Sequence, residues 1–337
     1  MDILIVIIGI SLLILIHEFG HFLAARKFGV LVEEFGFGFP PRLFSKKIGE
    51  TIYSLNLLPF GGFVRLYGEN QWEEINAEKR ARSFFVQPIW KRSLVIVAGV
   101  AMNFFLGWML MSLIFAVGTP RVVVVSEILP GSPAEAVGIL ANDQMKDFQN
   151  GSDFVSFINQ NRGKEIVLNI SRAGEELQIK ATPRVSGEGA LGVAVVEAGI
   201  ERHSLLASLW EGLKASLMIV GGILAAFANL FWGLITQGRL LVDFVGPIGI
   251  FGIANQAGSM GFIYLVQLIA LISLNLAVLN IFPFPALDGG RFLFIILEKI
   301  KGSPLRPEME RSVNAAGFLV LLLLIIAVTI RDVVHLF

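Results

Sequence analysis

The chain has 337 residues, of which 55% are hydrophobic and 16% are charged, and its formal net charge at pH 7 is zero. Soluble domains carry about 25% charged residues, so this composition indicates an integral membrane protein with some soluble mass. The neutral charge gives no indication of a nucleic acid partner. The absence of cysteine excludes disulfide bonds and thiolate metal sites.

The first predicted element is a membrane span over roughly Ile3–Ala25, because a span needs about 20 apolar residues. Asp2 is the only early charge and there is no small-residue cleavage site, so we expect a retained span and not a signal peptide. The stretch LLILIHEFGHFLAARKFG places His17, Glu18 and His21 in this apolar run. Ionisable groups at membrane depth are costly and usually functional, so these three are the first site candidates.

The spacing of these residues predicts a metal site. Residues four apart on a helix lie on one face, so His17 and His21 can bind one ion through neutral imidazoles. Glu18 stays adjacent to that face, which is the H-E-x-x-H arrangement of zinc peptidases. In that chemistry a zinc-bound water, whose pKa falls to about 7, attacks an amide carbonyl with Glu18 as general base. The alternative is a pair of histidines hydrogen-bonded inside a helix bundle.

The next segment leads to a second span, Ser93–Val117, and is rich in Lys and Arg. By the positive-inside rule this segment is cytoplasmic, which places the N-terminus outside. The region from Arg121 to about Glu201 has strand-like runs around the turn and short-helix pattern PGSPAEAVGILANDQM. We therefore expect a small soluble α+β domain outside the membrane.

This soluble domain resembles a PDZ domain. The run GSPAEAVGI followed by Asp143 is similar to the usual G-S-P-A-x-x-A-G-L…G-D, except that Asn142 stands in place of the glycine before the aspartate. The resemblance puts a carboxylate-binding loop at 190–193, in the permuted order of bacterial PDZ domains. Two roles stay open for it, a size filter for substrates or the binding of a new C-terminus.

The connector after this domain contains an apolar run over 205–235. We expect this run to lie on or dip into the outer leaflet, because its start, LLASLWEGLK, is amphipathic. The third span must also run from outside to inside if its end is to reach the depth of His17. The chain between the second and third spans must therefore cross the membrane an even number of times. The alternative is a true additional span.

The third span, Phe262–Phe282, leads into LNLAVLNIFPFPALDGGRF. Asn280 interrupts the apolar run, Pro283 and Pro285 must break the helix, and Asp288 follows. Irregular backbone at membrane depth is tolerated only where protein or a water-filled cavity receives it. Asp288 is therefore the candidate for the third protein ligand that a catalytic zinc needs. The alternative is an ordinary span end with a cytoplasmic capping aspartate.

The two motifs together resemble the intramembrane zinc metalloproteases of the site-two protease family. His17-Glu18-Phe19-Gly20-His21 matches the H-E-x-x-H of that family, and the run from Asn280 to Gly289 matches its N-x-x-P-x-P-x-L-D-G. Further matches lie in GFGFP after the first span, in PFGGFV, in the second span and in GPIG before the third. The resemblance covers nearly the whole chain and points to the bacterial regulator-of-sigma-E protease branch, with one PDZ domain.

The resemblance implies a role for each site residue. His17, His21 and Asp288 would bind one zinc ion per chain, and Glu18 would be the general base. Asn280 would hold the substrate backbone near the scissile bond. The remaining substrate-binding residues would be Gly36, Phe37 and Gly38, in a reentrant loop that pairs with an extended substrate strand, together with Pro283 and Pro285. Such pairing is needed because an unwound substrate has unsatisfied backbone groups in the membrane.

The implied protein is an intramembrane zinc endopeptidase that cuts transmembrane segments of single-span proteins in regulated intramembrane proteolysis. Its substrates would be anti-sigma factors or signal-peptide remnants, trimmed beforehand by a site-one protease. It would be a multi-pass protein of the bacterial inner membrane, embedded in the lipid bilayer. A transporter using the same histidines is one rival, but the chain shows one broken helix and no repeat. An inactive scaffold is the other, although all four site residues are present.

The predicted fold is a polytopic α-helical membrane protein with about four transmembrane helices, a reentrant β-loop after the first, and one extracytoplasmic α+β PDZ domain. The predicted domains are a first transmembrane helix with the zinc motif (1–28), a reentrant β-loop region (29–92), a second transmembrane helix (93–118), the PDZ domain (121–200), the connector (201–261), a third transmembrane helix with a broken end (262–290), a cytoplasmic loop (291–311) and a fourth transmembrane helix (312–334).

Overall fold

The structure, a computed structural model, describes residues 2–69, 76–172, 174–187, 189–237 and 246–336. It divides into two compact units, one of Met1–Met111, Leu213–Asn255 and Leu265–Phe337, and one of Ser112–Gly212 and Gln256–Tyr264. In chain order the elements are α1 (Asp2–Lys27), β1 (Val32–Ile48), β2 (Thr51–Leu66), a 3-10 helix (Ala77–Arg82), α2 (Ile89–Val117), β3 (Val122–Ile128), α3 (Pro133–Ala136), β4 (Gln144–Met145), α4 (Gly151–Gln160), β5 (Ile166–Arg172), β6 (Glu175–Ala181), β7 (Val193–Ala198), α5 (Leu205–Gln237), α6 (Pro247–Met260), α7 (Phe262–Ile281), α8 (Asp288–Lys301) and α9 (Pro307–Leu336).

Five helices of the described chain are long and apolar enough to cross a membrane, so the protein is a multi-pass membrane protein with additional β-sheet regions. Four of them, α1, α2, α7 and α9, coincide with the four predicted spans. The fifth candidate is α5, one continuous helix over the run that was expected to lie on the outer leaflet. Length and composition alone do not decide whether α5 crosses. Residues 238–245 of the connector lie outside the described residues.

Helices α1 and α7 run in the same direction. In the first half of α1, Gly9 packs against Ile269 of α7, and farther along α1 the ring of His17 lies 3.4 Å from the amide nitrogen of Asn280. Both contacts advance along the two helices together, so the C-terminal end of α7 lies beside the middle of α1, at the level of His17. Asp288, which follows the end of α7, can therefore share a metal site with the histidines of α1.

Helix α2 runs antiparallel to α1. The carbonyl oxygen of Val95 lies 2.8 Å from Nδ1 of His21, whereas Asn103, farther along α2, reaches the ring of His17 at 3.3 Å. The chain therefore leaves the end of α2 on the side where α1 begins. Because α7 runs parallel to α1, helices α2 and α7 run in opposite directions.

A two-stranded sheet lies between α1 and α2 in the chain. A two-residue turn with Gly49 at φ +63° joins β1 to β2. Two-residue hairpin turns favour glycine because they need a residue with positive φ. Both strands are long and bent, so the first half of β1 lies between the two ends of β2. Gly36 is opposite Phe63 on one side and Ser54 on the other. Gly36 and Phe37 therefore have strand partners within the protein, whereas the predicted reentrant loop would pair with a substrate strand.

The predicted cytoplasmic loop 291–311 is largely helical. It holds most of α8, which ends at Gly302 in the left-handed conformation (φ +76°). Helix α8 is amphipathic and buries Phe294, Ile295 and Glu298. Glu298 accepts a hydrogen bond from Arg92 of α2 at 2.6 Å, and both side chains are buried. The basic residues Arg291, Lys299 and Lys301 are exposed on this helix.

The second unit contains a five-stranded sheet in the order β6-β5-β4-β3-β7, with every neighbouring pair antiparallel. The core under this sheet is apolar and includes Val123, Met145, Phe154 and Ile170. Helix α3 begins at the N-cap Ser132, whose hydroxyl accepts the N–H of Glu135. The element order of strands and two short helices agrees with the α+β domain that the sequence indicates.

Candidate metal centre

Three side chains from two distant parts of the chain converge at one point. Oδ2 of Asp288 lies 2.9 Å from Nε2 of His17 and 3.1 Å from Nε2 of His21, and the two Nε2 atoms are 3.1 Å apart. Two imidazoles and a carboxylate are the N and O donors that zinc prefers. Ligands at about 2.0–2.1 Å in a tetrahedron are separated by about 3.3 Å, so the three atoms fit around one zinc ion with little movement.

Both imidazoles have partners that suit metal binding. The Nδ1–H of His21 donates to the carbonyl oxygen of Val95 at 2.8 Å, which leaves Nε2 with its lone pair toward the site. Asn103, a fully buried residue of α2, lies at 3.3 Å from Nδ1 of His17, and its Oδ1 has no hydrogen-bond partner among the described residues. A half turn of the amide exchanges its oxygen and nitrogen, and Oδ1 then accepts the Nδ1–H of His17. Each ring thereby keeps Nε2 for the metal.

Space for the imidazoles depends on a glycine of α2. A Cβ atom added to Gly99 would lie 2.6 Å from Cε1 of His21 and 2.9 Å from Cε1 of His17. Real Cβ atoms are not found at such distances from carbon, because contact becomes favourable only at about 3.5–4.0 Å. The two rings therefore occupy the volume that any other side chain at this position would fill.

Asp288 reaches the site because α7 ends before it. Pro283 comes two residues after Ile281, the last helical residue, and prevents continuation of the helix. Pro285 then precedes Ala286, whose φ is +73°. Asp288 then begins α8. Gly289 follows closely against the carbonyl groups at the end of α7, where a Cβ atom would overlap them.

Glu18 lies beside the three ligand candidates. Its Oε2 accepts the backbone N–H of Val64 in β2 at 3.1 Å. Glu18, His21 and Asp288 together line a cavity of about 270 Å³ whose other walls include Val64 and Arg291. A carboxylate in this position can exchange a proton with a group held next to the three converging atoms.

The structure also places the remaining predicted substrate-binding residues. Asn280 is at the metal centre, with its amide nitrogen 3.4–3.5 Å from the two ring nitrogens of His17. Pro283 and Pro285 form the turn before Asp288. Gly36, Phe37 and Gly38 lie in β1, and the first two have β2 residues opposite them on both sides. Their pairing with a substrate strand stays a prediction, and it would require one end of β2 to move away.

Sequence reasoning missed three contributions to the site. Asn103 was noted only as part of a matching segment, although a single Asn in an otherwise apolar span is a signal of a buried polar contact. The bond from Val64 to Glu18 depends on how β2 folds, which no local pattern reveals. The ion pair of Arg291 with Glu69 lies at the same cavity and joins α8 to the end of β2.

Comparison with known proteins also points to a metalloprotease, and the matches extend over nearly the whole chain. A family model described as peptidase family M50 matches residues 5–324. A Clostridium perfringens protein named as a zinc metalloprotease is 33% identical over 340 residues, which cover 99% of each chain. Zinc metalloprotease RasP of Shouchella clausii is 30% identical, with 97% of each chain covered. The regulator of sigma-W protease RasP of Bacillus subtilis is 26% identical, with 98% of each chain covered.

Proposed function

The chain belongs to peptidase family M50 and is a zinc metalloprotease of the site-two type, and we propose that it hydrolyses peptide bonds within transmembrane segments of single-span membrane proteins. The observation that carries this proposal is the convergence of His17, His21 and Asp288 beside Glu18, on α1 and just after the end of α7, two helices whose composition suits a bilayer. A proteolytic site on such helices acts on chains that are themselves in the membrane.

The proposed roles follow from the geometry. His17, His21 and Asp288 would hold one zinc ion, and the chemistry that this ion would supply is a more acidic water and a polarised carbonyl. Glu18 takes the proton from the attacking water and passes it to the nitrogen of the leaving amine. The N–H of Val64 holds the Glu18 carboxylate in place between these two transfers. Asn280 donates from its amide to the substrate backbone next to His17.

We expect the substrate strand to be able to add to the edge of β2, next to the predicted pairing residues of β1. Among the described residues, the stretch of β2 from Gly62 to Leu66 pairs with a strand on one side only. Its outer side carries the Val64 N–H that bonds Glu18, so a strand added there lies next to the general base. Main-chain hydrogen bonds to this edge would satisfy the backbone groups that the substrate exposes on unwinding.

We assign membrane-bound regulators of sigma factors and leftover signal peptides as the substrate classes. One relative is named as a regulator of sigma-W protease, which supports the first class. The α+β unit, as an extracytoplasmic PDZ domain, would act as a size filter, so that a site-one protease must first remove the outer domain of the substrate. Fusing a folded domain to the outer end of a trimmed substrate should then block its cleavage. Undiminished cleavage of the fusion would refute the size-filter role.

The topology that this function needs is an inner-membrane protein whose N-terminus and α+β unit are extracytoplasmic. Asn314 of α9 contacts the turn at Ala286, and Asp332 lies 18 residues or about 27 Å farther along that helix. The carboxylate of Asp332 accepts the N–H groups of Gly246 and Gly249, so α6 begins near the level where α1 begins. We therefore expect the connector with α5 to start and end on the outer side.

Single cysteines test this topology directly, because the chain has none of its own. Ser204→Cys and Met260→Cys flank the connector, and Ser303→Cys follows α8. A membrane-impermeant maleimide added to intact spheroplasts should label the first two and reach the third only after permeabilisation. Labelling of Ser204→Cys and Met260→Cys from opposite sides would mean a single crossing by α5 and would contradict the parallel arrangement of α1 and α7.

The proteolytic proposal is tested with purified protein in detergent and a tagged single-span substrate that lacks its outer domain. Wild type is compared with Glu18→Gln and Asp288→Asn, and cleavage and bound zinc are measured on the same samples. Cleavage only by wild type, with zinc kept in Glu18→Gln and weakened in Asp288→Asn, is the expected result. Undiminished cleavage by Glu18→Gln would refute the general base, and unchanged zinc binding by Asp288→Asn would refute the third ligand.

A further inference from the structure

The turn before Asp288 contains a strained residue. Ala286 has φ +73°, and it is one of only two residues other than glycine with positive φ in the described chain; the other is Asn142. Asn tolerates this left-handed region because its short polar side chain bonds locally, whereas Ala pays about 1–2 kcal/mol to adopt it. Such a conformation persists only when its surroundings impose it, and strain of this kind is concentrated at functional sites.

The contact that imposes it comes from another helix. The N–H of Ala286 donates to Oδ1 of Asn314 in α9 at 3.1 Å. One turn farther along α9, Gly317 is buried against Pro285, and a Cβ atom there would lie 2.7 Å from the Pro285 carbonyl oxygen. Helix α9 therefore packs directly on the backbone of the turn and supplies the acceptor for its strained residue. The other bonds of the turn, such as that from Leu287 to the Phe284 carbonyl, are local.

The position of this turn matters because Ala286 is two residues from Asp288. One oxygen of Asp288 lies within 3.1 Å of both Nε2 atoms, so a rotation about the Ala286 backbone moves the carboxylate relative to both imidazoles. Metal sites tolerate deviations of about 0.2 Å in ligand distance. A relaxation of Ala286 toward negative φ would displace Asp288 by more than that.

We propose that Asn314 is a positioning residue for the metal centre: it holds Ala286 in the left-handed conformation that directs the Asp288 carboxylate at His17 and His21. This inference rests on the proposed role of Asp288 as a metal ligand. It makes α9 part of the metal site although α9 supplies no ligand, and it predicts that the hydrogen-bond acceptor of residue 314 and the backbone freedom of residue 286 compensate for one another.

The test measures zinc affinity by competition with a chelator and the visible spectrum of the cobalt-substituted protein, in full-length detergent-solubilised chains. Asn314→Leu keeps the size of the side chain but removes the acceptor, and Asn314→Asp keeps an acceptor. We expect Asn314→Leu to weaken zinc binding about 10–100-fold, the usual effect of losing a partner that orients a ligand, and to change the cobalt spectrum. Asn314→Asp should stay within about threefold of wild type, well below that range.

The compensating substitution is Ala286→Gly, since glycine adopts positive φ without strain. In the Asn314→Leu background it should restore most of the zinc affinity and the wild-type cobalt spectrum. Thr329→Val is the matched control, because it removes a side-chain hydrogen bond within α9 far from the turn and should leave both readouts unchanged. A role of Asn314 confined to the packing of α9 would lower the unfolding temperature without this rescue.

Asp288→Asn, measured in parallel, separates the two levels of the argument. Wild-type zinc affinity in Asp288→Asn would overturn the ligand assignment itself. Weakened affinity in Asp288→Asn with wild-type affinity in Asn314→Leu would overturn only the positioning role. A third outcome would also overturn the positioning role: Asn314→Leu loses affinity, Asn314→Asp loses it equally, and Ala286→Gly does not restore it. The acceptor and the strained backbone would then be irrelevant to zinc binding.

Discussion

Replacing Gly99 with alanine adds a single methyl group, and we expect this change to disable the metal centre. The new methyl group would lie 2.6 Å from Cε1 of His21 and 2.9 Å from Cε1 of His17, so each ring must move by up to about 1 Å to reach an ordinary contact distance. His21 cannot easily yield, because its Nδ1 is bonded to the Val95 carbonyl at 2.8 Å. Separation of the helices would be needed instead.

The magnitude follows from overpacking, which costs about 1–3 kcal/mol in a well-packed interior. If this strain is relieved only when the rings leave their metal-binding positions, zinc affinity falls by about 5- to 150-fold, since about 1.4 kcal/mol corresponds to a factor of ten. The assay is chelator competition for zinc, with cleavage of the single-span substrate as the second readout.

Gly107→Ala is the matched control in the same helix. Its methyl group would lie 2.6 Å from side-chain atoms of Leu274, a comparable overlap that does not touch a ligand. We expect both variants to unfold at lower temperature and only Gly99→Ala to lose zinc. Wild-type zinc affinity in Gly99→Ala, or an equal loss in both variants, would refute the reasoning that Gly99 makes room for the imidazoles.

Three further predictions concern stability. Arg92→Met should lower the free energy of unfolding by about 3–5 kcal/mol because it leaves Glu298 without its buried cation, and Glu298→Met should recover most of this in the double variant; thermal unfolding measures both. Asn142→Ala should cost about 1–2 kcal/mol in the same assay and Asn142→Gly almost nothing, because φ is +71° there. Asp332→Ala should cost about 0.5–2 kcal/mol and increase hydrogen exchange in the first turn of α6, whereas Asp332→Asn keeps an acceptor and should not.

The metal centre was predictable from the sequence to the extent that its geometry is local. The helical period fixes the relation of His17 to His21 whatever the tertiary fold, and the prolines before Asp288 require a break in α7 at any depth. That the break brings Asp288 to the histidines is a tertiary fact; the residues alone made Asp288 a candidate ligand, and the resemblance to a family implied the contact. The parallel directions of α1 and α7 followed from the same requirement that the two motifs share one depth.

Strand register was not predictable in this way. GFGFP and PFGGFV are similar in composition, and both lie in long strands with exposed and buried stretches. Which of them occupies the edge of the sheet depends on how β1 and β2 bend back on each other, and a register is set by contacts far apart in sequence. The pairing of a substrate with Gly36 and Phe37 stays a prediction, and the edge of β2 from Gly62 to Leu66 is a second candidate. Helix α8 was not predicted, although its apolar residues recur with a helical period.

The sequence alone did not explain why so many glycines lie around the site. The structure explains them by the close approach of neighbouring backbones. Helices in a bilayer gain little from burying apolar side chains against each other, so packing and small residues decide how they associate. Gly20 brings α1 against the backbone of α2 at Ala98, Gly99 leaves room for both imidazoles, and Gly317 brings α9 against Pro285. Each of these contacts lies between a helix and an element that carries a proposed ligand. The metal centre is therefore held by the distances between backbones, so a single added methyl group should disturb it more than the loss of an exposed ion pair, which contributes about 0–1 kcal/mol.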